Sequence, residues 1–239
     1  MIESTDVVVV GAGQAGLATS HELTRAGVSH LVLERERIAE TWRKRWDSFC
    51  LVTPNWTVQL PGGTYEGAEP DGFMLRDEVI AFLERYAAAA PVRTGVTVTA
   101  LSPSAQEGFE LETTAGQIRA RSVVVATGAY QRPHRPVAAG DLPEGLLQLD
   151  ADDYRSEPGL PEGEVLIVGS GQTGCQIAEE LVEAGRTVYL SCGRAPWAPR
   201  RIGEHDLLWW FVETGFLDMP PGPSSRESTA WEMPSWRSQ

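Results

Sequence analysis

The same glycine-rich turn occurs twice in this chain, and no other feature constrains the fold as strongly. Residues 11–16 (GAGQAG) follow four valines, and residues 169–174 (GSGQTG) follow the run VLIV. The offset of 158 residues (169 − 11) continues down the next helix, where Glu22 corresponds to Glu180. A buried strand, a turn with this spacing and a helix form a dinucleotide-binding βαβ unit. The sequence therefore predicts an α/β fold with two Rossmann-like units and two bound dinucleotides.

Each glycine of this spacing has its own role. The first permits the tight turn, the second lets the backbone approach a pyrophosphate, and the third lets the helix pack against the strand. The helix N-terminus then directs N–H groups and the positive end of its dipole at the phosphates. For the second copy the alternative is a structural βαβ unit without a ligand.

The two copies differ where the ribose of a dinucleotide binds. The second strand of the first copy ends in Glu34, whose carboxylate accepts hydrogen bonds from ribose hydroxyls and repels a 2′-phosphate. At the same offset the second copy has Cys192, and Arg194 follows, whose guanidinium pairs with a 2′-phosphate. The first copy is therefore predicted to bind FAD or NAD, and the second NADP. The alternative for Arg194 is a solvated loop arginine, and Arg200 and Arg201 are weaker candidates.

Composition excludes several classes of function. A net charge of −13 argues against nucleic acid or an anionic membrane as partner. The three cysteines have neither C-x-x-C nor metal-ligand spacing, which favours a reducing compartment and excludes a simple dithiol relay. The N-terminus is acidic and its apolar run is four valines, so we predict a cytoplasmic protein. Basic residues cluster from Arg35 to Arg45, and a solvated helix face is the alternative to a binding role.

Periodicity predicts further elements between the two units. Residues 76–90 have the apolar spacing of a helix, and residues 92–118 alternate as in an antiparallel meander. Residues 123–125 are predicted as another buried strand, residues 41–63 as a loop region and residues 129–163 as a connector.

Three regions follow from this organisation. We predict a dinucleotide-binding domain at 1–150, a partial second βαβ unit at 151–205, and an atypical Trp- and Pro-rich tail at 206–239. Within the tail, residues 207–216 are predicted as one short helix. Residues 220–239 show no period and are expected to be disordered or loosely packed.

Several stretches in a fixed order are more specific than any single motif. They are residues 11–16, Glu34, and residues 41–49, 53–56, 126–133 and 169–174. With these stretches the chain resembles the flavin-containing monooxygenases, in particular the bacterial CzcO-type branch. The resemblance implies a large FAD domain interrupted by a smaller NADPH domain. It also implies that NADPH reduces FAD, and that the reduced flavin takes up O₂ as a C4a-(hydro)peroxide, which oxygenates a soft nucleophile or ketone.

The resemblance also assigns roles to residues of this chain. Gly11, Gly13, Gln14, Ala15 and Gly16 would contact the FAD pyrophosphate, and Glu34 would bind the ribose. The residues themselves, rather than the resemblance, give the candidate NADPH-binding positions Gly169, Gly171, Gln172, Thr173, Gly174 and Arg194, with Arg35 of the basic cluster as a further cofactor-binding candidate. Thr41 and Trp42 would line the adenine, and Thr127 and Gly128 would lie at the crossing between domains. Asn55 loosely matches an asparagine near the flavin whose amide donates to the developing peroxide; the alternative is a turn residue after a proline.

The chain departs from the family pattern in two places. Asp150 stands where a histidine is expected, although Tyr154 is kept. An acid there adds negative charge, which we expect to weaken NADPH docking or domain closure. After Arg201 only 38 residues remain (239 − 201), too few for the returning segment that the resemblance implies. We therefore expect a truncated product that holds FAD weakly.

Two other functions remain open from the sequence. A pyridine-nucleotide flavin reductase or disulfide oxidoreductase also carries two dinucleotide units, but the cysteine spacing disfavours it. The second alternative is a catalytically impaired nucleotide-binding remnant that binds a partner through its Trp-rich tail. Substrate identity and oligomeric state are left open.

Overall fold

The computed structural model describes residues 3–129, 132–193 and 198–219. The chain divides into two compact units, Met1–Ala195 and Pro196–Gln239. The strands of the first unit are β1 (Glu3–Val10), β2 (His30–Leu33), β3 (Gln59–Leu60), β4 (Gly63–Thr64), β5 (Val92–Arg93), β6 (Val98–Pro103), β7 (Phe109–Thr113), β8 (Gly116–Val125), β9 (Val165–Val168) and β10 (Val188–Ser191). Its α-helices are α1 (Gln14–Arg25), α2 (Glu40–Arg43), α3 (Arg76–Ala87) and α4 (Gln172–Glu183). Short 3₁₀ turns lie at Asn55–Thr57, Val137–Asp141 and Glu157–Gly159.

A six-stranded sheet forms the centre of the first unit, in the order β5-β2-β1-β8-β7-β6. Strands β2 and β8 both run parallel to β1, and β5 runs parallel to β2. Strands β6, β7 and β8 form the predicted antiparallel meander. The predicted α/β fold, with a parallel sheet and an attached meander, is therefore confirmed.

The four valines before the first glycine-rich turn place side chains on both faces of this sheet. Val8 and Val9 point to opposite faces, and each is fully buried. Val9 packs in a cluster with residues of α1 and α3, including Leu17 and Leu83. Val8 packs in a second cluster with Leu111 of the meander. This burial explains why the run is entirely apolar rather than alternating.

The second copy forms the same local unit but in a smaller sheet. Strand β9 pairs in parallel with β10, and among the described residues these two strands form a sheet of their own. The predicted burial of residues 165–168 is wrong on one face: Leu166 is 57% exposed, whereas Val8, its repeat partner (166 − 158), is fully buried. The reason is that β1 has β8 and the meander beside it, and β9 pairs with β10 alone in the described part of the chain.

Two other expectations need correction. Residues 123–125 are not a separate strand but the end of β8, and Val125 is 63% exposed rather than buried. The helix predicted at 76–90 begins at Arg76 and ends at Ala87. It begins there because the Glu78 side chain accepts a hydrogen bond from the backbone N–H of Leu75, which caps the first turn.

A third apolar cluster joins the second copy to the loop that follows α2. Trp46 and Tyr154 pack against Ile177 and Leu181 of α4, and all four side chains are buried. Trp46 is therefore a core residue. Because α4 begins at the second glycine-rich turn, this cluster holds that turn close to the loop after α2.

The second compact unit is described over residues 198–219. It contains a short antiparallel pair, β11 (Arg201–Ile202) and β12 (His205–Asp206), followed by helix α5 (Leu207–Glu213). Asp206 caps α5 by accepting from the backbone N–H of Leu208 at 2.9 Å. The predicted short helix is thus present and ends at Glu213. Residues 220–239, predicted to be loose, lie outside the described residues. Within the described ranges, no helix has the length and apolar character needed to cross a membrane.

Candidate dinucleotide sites

The two glycine-rich turns have nearly the same backbone geometry. Gly11 has φ +106° and Gly169 has φ +111°, a region that L-residues rarely adopt. The Gly11 N–H donates to the carbonyl of Leu33 at 2.8 Å, and the Gly169 N–H donates to that of Ser191 at 3.0 Å. The repeat in the sequence therefore corresponds to a repeat in three dimensions.

At each turn the third glycine is surrounded by protein atoms, whereas the second glycine faces space that is open to a ligand. A Cβ on Gly16 would lie 1.9 Å from the Gly11 carbonyl oxygen, and a Cβ on Gly174 would lie 1.9 Å from that of Gly169. A Cβ on Gly13, by contrast, would have no protein atom within 4 Å, and the same holds for Gly171. The third glycine is thus required by helix packing, and the second faces open space.

This open space adjoins unpaired donors. Gly13 and Gly171 are the N-caps of α1 and α4, so the first N–H groups of each helix have no intrahelical acceptor. Neither helix has an acidic residue in its first turn. Free N–H groups, a helix dipole and room for backbone approach fit a pyrophosphate at both turns. The contact roles of the remaining turn residues, Gln14, Ala15, Gln172 and Thr173, stay predictions.

Glu34 closes the first turn and has capacity left for a ribose. One carboxylate oxygen accepts from the Ala12 N–H at 2.8 Å, and the other accepts from the Glu36 N–H at 3.0 Å. Each carboxylate oxygen has a second acceptor position, so two ribose hydroxyls can still bind. The neighbouring Arg35 is exposed, and its contact with a cofactor stays a prediction.

The second copy has no such acid. Cys192 occupies the equivalent position and is exposed, with its Sγ 3.8 Å from the carbonyl oxygen of Leu190. Arg194, predicted to bind a 2′-phosphate, lies outside the described residues. The weaker candidates are engaged within the second compact unit: Arg200 pairs with Asp206 at 2.6 Å, and Arg201 donates to the carbonyl of Glu204 at 2.6 Å.

The chain after β8 passes close to the first turn. A Cβ on Gly11 would lie 2.5 Å from the Ala126 carbonyl oxygen and 3.4 Å from the Cα of Thr127. Gly128 follows with φ +79°. Thr127 and Gly128 therefore lie beside the first glycine-rich turn, whose open space at Gly13 we call the first cradle. At the second turn, whose open space at Gly171 is the second cradle, a Cβ on Gly169 would have no protein atom within 4 Å. The predicted position of these two residues at a domain crossing stays a prediction.

Asn55 is buried, with 4% of its surface exposed. Its backbone N–H donates to Gly72 and its amide Nδ2 donates to Glu69, each to a carbonyl oxygen at 2.9 Å. Its Oδ1 is buried and lacks a hydrogen-bond partner among the described residues. Asn55 thus opens the 3₁₀ turn after Pro54 and fixes the segment 69–72, as the turn interpretation predicted. Its catalytic role stays a prediction, with one amide hydrogen already used.

The predicted adenine-side residues lie on α2. Thr41 is exposed, and Trp42 is half-buried with its ring centroid 5.6 Å from that of Phe49. Most of the nearby basic cluster is occupied by ion pairs with carboxylates. These pairs are Arg37–Glu40, Arg43–Glu84, Lys44–Glu36 and Arg45–Asp152. The cluster therefore serves chiefly to balance local acids rather than to present free cations.

Asp150 does not add an unbalanced charge, and its expected effect on NADPH docking or domain closure stays a prediction. Its two carboxylate oxygens accept from the Arg135 guanidinium at 2.7 and 3.0 Å. The hydrogen bond from Arg135 lowers the pKa of the Asp150 carboxyl below its ordinary value. Asp150 is thus a neutralised partner in a bidentate pair, which the sequence did not reveal because Arg135 lies 15 residues away.

Sequence reasoning also missed Glu180. Its carboxylate accepts from the hydroxyls of Ser48 and Tyr154 and from the backbone N–H of Glu157. Burial and the Glu180 carboxylate raise the pKa of Tyr154, so its hydroxyl stays a donor. The only signal in the sequence was the alignment of Glu180 with Glu22 in the repeat, and the two residues have different surroundings: Glu22 pairs with Arg25 on the surface.

Two other kinds of site are not seen. In the described part of the chain no group of three or more His, Cys, Asp or Glu side chains is arranged to hold a metal ion. No disulfide joins any two of Cys50, Cys175 and Cys192. Cys50 is half-buried, and the other two are exposed.

Comparison with known proteins places this geometry in a family. A family model described as pyridine nucleotide-disulphide oxidoreductase matches residues 8–206. The chain is 38% identical over 218 residues to the uncharacterized oxidoreductase CzcO-like of Geobacillus kaustophilus. The alignment covers 90% of this chain and 62% of the relative. It is 34% identical over 184 residues to the indole-3-pyruvate monooxygenase YUCCA1 of Oryza sativa subsp. japonica, with 74% of this chain and 45% of the relative covered.

A solved structure agrees with these matches. The flavin-containing monooxygenase from Stenotrophomonas maltophilia superimposes with a TM-score of 0.76 at 28% identity, covering 88% of this chain and 64% of that one. The chain therefore spans less than two thirds of the length of each of these proteins. The predicted resemblance to CzcO-type proteins and flavin-containing monooxygenases is confirmed, and the chain belongs to the pyridine nucleotide-disulphide oxidoreductase family.

Proposed function

We propose that this chain carries the dinucleotide-binding part of an FAD- and NADPH-dependent monooxygenase. The overall reaction converts a soft nucleophile or ketone, O₂, NADPH and a proton into the oxygenated product, NADP⁺ and water. The flavin, when bound, supplies the redox chemistry that connects NADPH to O₂. The residues of this chain bind and orient the two cofactors and exclude water from them.

The pair of open cradles is the observation that carries this proposal. Each turn combines a glycine that helix packing requires, Gly16 or Gly174, with a glycine that faces open space, Gly13 or Gly171. One cradle alone supports a nucleotide-binding protein. Two cradles in one compact unit support transfer between two dinucleotides.

The presence of Glu34 at the first cradle only predicts different ligands for the two cradles. In the first cradle its carboxylate accepts ribose hydroxyls and repels a 2′-phosphate, which fits FAD. The second cradle has Cys192 at that position, so no carboxylate opposes the 2′-phosphate of NADPH. The resemblance adds Thr41 and Trp42 at the adenine, and its place in the sequence makes Arg194 the candidate for the 2′-phosphate.

The monooxygenase candidate is favoured over disulfide chemistry. No two of Cys50, Cys175 and Cys192 have C-x-x-C spacing, and no disulfide joins them. A simple dithiol relay has a readable spacing of that kind. The relatives named as monooxygenases include both YUCCA1 and the S. maltophilia protein. A small-molecule substrate and O₂ are therefore the proposed partners, and the cytoplasmic location stays a prediction.

Binding and reduction of flavin test the proposal in sequence. Purified protein is titrated with FAD by flavin fluorescence, then mixed anaerobically with NADPH or NADH while flavin absorbance is followed. We expect saturable FAD binding and faster reduction by NADPH. Faster reduction by NADH would refute the second-site assignment, and absence of FAD binding would refute the whole proposal.

Oxygen consumption with model substrates then tests the reaction class. We expect a thioether or a cyclic ketone to be converted to its mono-oxygenated product, one per NADPH consumed. NADPH oxidation that yields only hydrogen peroxide with every probe would favour a flavin reductase or a catalytically impaired remnant.

A further inference from the structure

We propose that Glu180 is a positioning residue that fixes the second βαβ unit, which contains α4, against the loop that follows α2. The proposal rests on the proposed hydride transfer between two dinucleotides. It concerns the orientation of helix α4, rather than any contact between Glu180 and a cofactor.

Apolar packing alone leaves the orientation of α4 underdetermined. Ile177 and Leu181 of this helix are buried against Trp46 and Tyr154. Such contacts are non-directional, so they hold the helix in place without fixing its rotation or its shift along the loop. A directional interaction is needed to define one arrangement.

Glu180 supplies that interaction on the same face of the helix. Its carboxylate accepts hydrogen bonds from the Ser48 hydroxyl, the Tyr154 hydroxyl at 2.9 Å and the Glu157 backbone N–H at 3.3 Å. The three donors belong to two separate segments, the loop after α2 and the connector before β9. One carboxylate thereby ties three positions of the chain to α4. Gln176 adds a fourth tie, from its Nε2 to the Cys50 carbonyl oxygen at 3.2 Å.

The donor set shows that this carboxylate must be an acceptor on both oxygens. Ser48 donates to one oxygen, and Tyr154 and Glu157 donate to the other. None of the ion pairs seen in the described ranges includes Glu180. A hydroxyl accepts as well as donates, so a glutamine could keep its Oε1 toward Tyr154 and Glu157 and turn its N–H₂ group toward the Ser48 hydroxyl. Glu180→Ala is therefore the variant that removes these hydrogen bonds.

The position along the helix links this contact to hydride transfer. Helix α4 begins at Gln172, directly after the open cradle, and Glu180 lies about two turns further on. A rotation of α4 about its contact with the loop therefore moves the cradle and any dinucleotide in it. Transfer between two cofactors depends steeply on alignment, and a displacement of about 1 Å changes a rate by up to about 10²-fold.

The internal repeat provides a matched control. Glu22 occupies the same position in α1 as Glu180 does in α4. Its carboxylate pairs with Arg25 one turn away, and the two side chains are 43% and 74% exposed. Glu22→Ala therefore makes the same chemical change as Glu180→Ala at the same helix position without touching the contact between α4 and the loop after α2.

Rapid-mixing kinetics test the proposal on the FAD-loaded protein. We expect Glu180→Ala to slow flavin reduction at saturating NADPH by about tenfold or more, while the dissociation constants for FAD and NADPH change by less than about threefold. Tyr154→Phe and Ser48→Ala, which each remove one donor, should show smaller losses of the same kind. Glu22→Ala should reduce at the wild-type rate.

A distance measurement gives a readout that needs no cofactor. Nitroxide labels on the exposed Cys175 of α4 and on Arg85→Cys of α3 report the orientation of α4, in a background carrying Cys50→Ala and Cys192→Ser. We expect Glu180→Ala to broaden the distance distribution and Glu22→Ala to leave it unchanged.

The outcomes separate this proposal from the proposed function. An unchanged reduction rate and an unchanged distance distribution in the Glu180 and Tyr154 variants would overturn the positioning role. Loss of FAD binding in step with the rate, in the mildest variant as well, would assign Glu180 to general stability and also overturn it. If the wild-type protein is not reduced by NADPH, the proposed function fails, and the distance measurement still decides whether Glu180 orients α4.

Discussion

Alanine substitution of two glycines in the first turn distinguishes ligand space from protein space. Gly13 has φ −76° and ψ −176°, which any residue adopts, and an added Cβ would have no atom within 4 Å. Alanine also restricts the unfolded chain. Gly13 is also the N-cap of α1, where alanine caps less well than glycine. Because these two effects oppose each other, we expect Gly13→Ala to change the stability of the cofactor-free protein by less than about 1 kcal/mol.

Gly16→Ala should instead destabilise the protein. Its Cβ would lie 1.9 Å from the Gly11 carbonyl oxygen, well inside the roughly 3.3 Å of a close C···O contact, so backbone must move by more than about 1 Å. Overpacking of this kind costs about 1–3 kcal/mol or more, against about 1 kcal/mol gained from helix propensity. For a chain of this length each net kcal/mol lowers Tm by about 2–4 °C.

FAD affinity completes the test. If the pyrophosphate occupies the open space at Gly13, the added methyl group should weaken FAD binding by at least about tenfold, which is about 1.4 kcal/mol. Thermal unfolding of the cofactor-free protein and a flavin fluorescence titration measure the two effects separately. Gly171→Ala is the matched control in the second cradle and should leave FAD binding unchanged. Wild-type FAD affinity in Gly13→Ala would refute the assignment of the first cradle.

Three further predictions follow from burial and hydrogen bonding. Val8→Ala should cost about 2 kcal/mol in urea unfolding because Val8 is fully buried, whereas Leu166→Ala at the same repeat position should cost less than about 0.5 kcal/mol; equal costs would contradict the difference in burial. Glu34→Gln should destabilise the cofactor-free protein by about 1–3 kcal/mol because its N–H₂ group would face a backbone N–H donor, and an unchanged unfolding curve would disprove that contact. The Asp150 carboxyl should titrate below the usual value of about 3.9 in carboxyl NMR, so that its pairing stabilises the fold above that pH and is lost as pH falls through the lowered pKa; Arg135→Ala should return the pKa toward the usual value, and no change would exclude the pair.

Local motifs were predictable because their cause is local. The turn at Gly11 and its repeat at Gly169 depend on backbone conformations that neighbouring glycines permit, so spacing alone located both cradles. Glu34 was recognisable for the same reason, because it comes at the end of the strand that follows the first turn. Tryptophan burial at Trp46 and the short helix α5 followed from hydrophobicity and period.

The environment of these motifs was decided by tertiary structure. The runs at 7–10 and 165–168 are equally apolar, yet Val8 is fully buried and Leu166 is 57% exposed, because strand neighbours come from distant parts of the chain. Glu22 and Glu180 are the same residue at the same repeat position, and only the packing of α4 against the loop gives the second one three donors. The sequence by itself determined where dinucleotides can bind, since that depends on backbone within a few residues. Which surfaces are covered, and what orients the two cradles, depended on contacts between segments that no local pattern encodes.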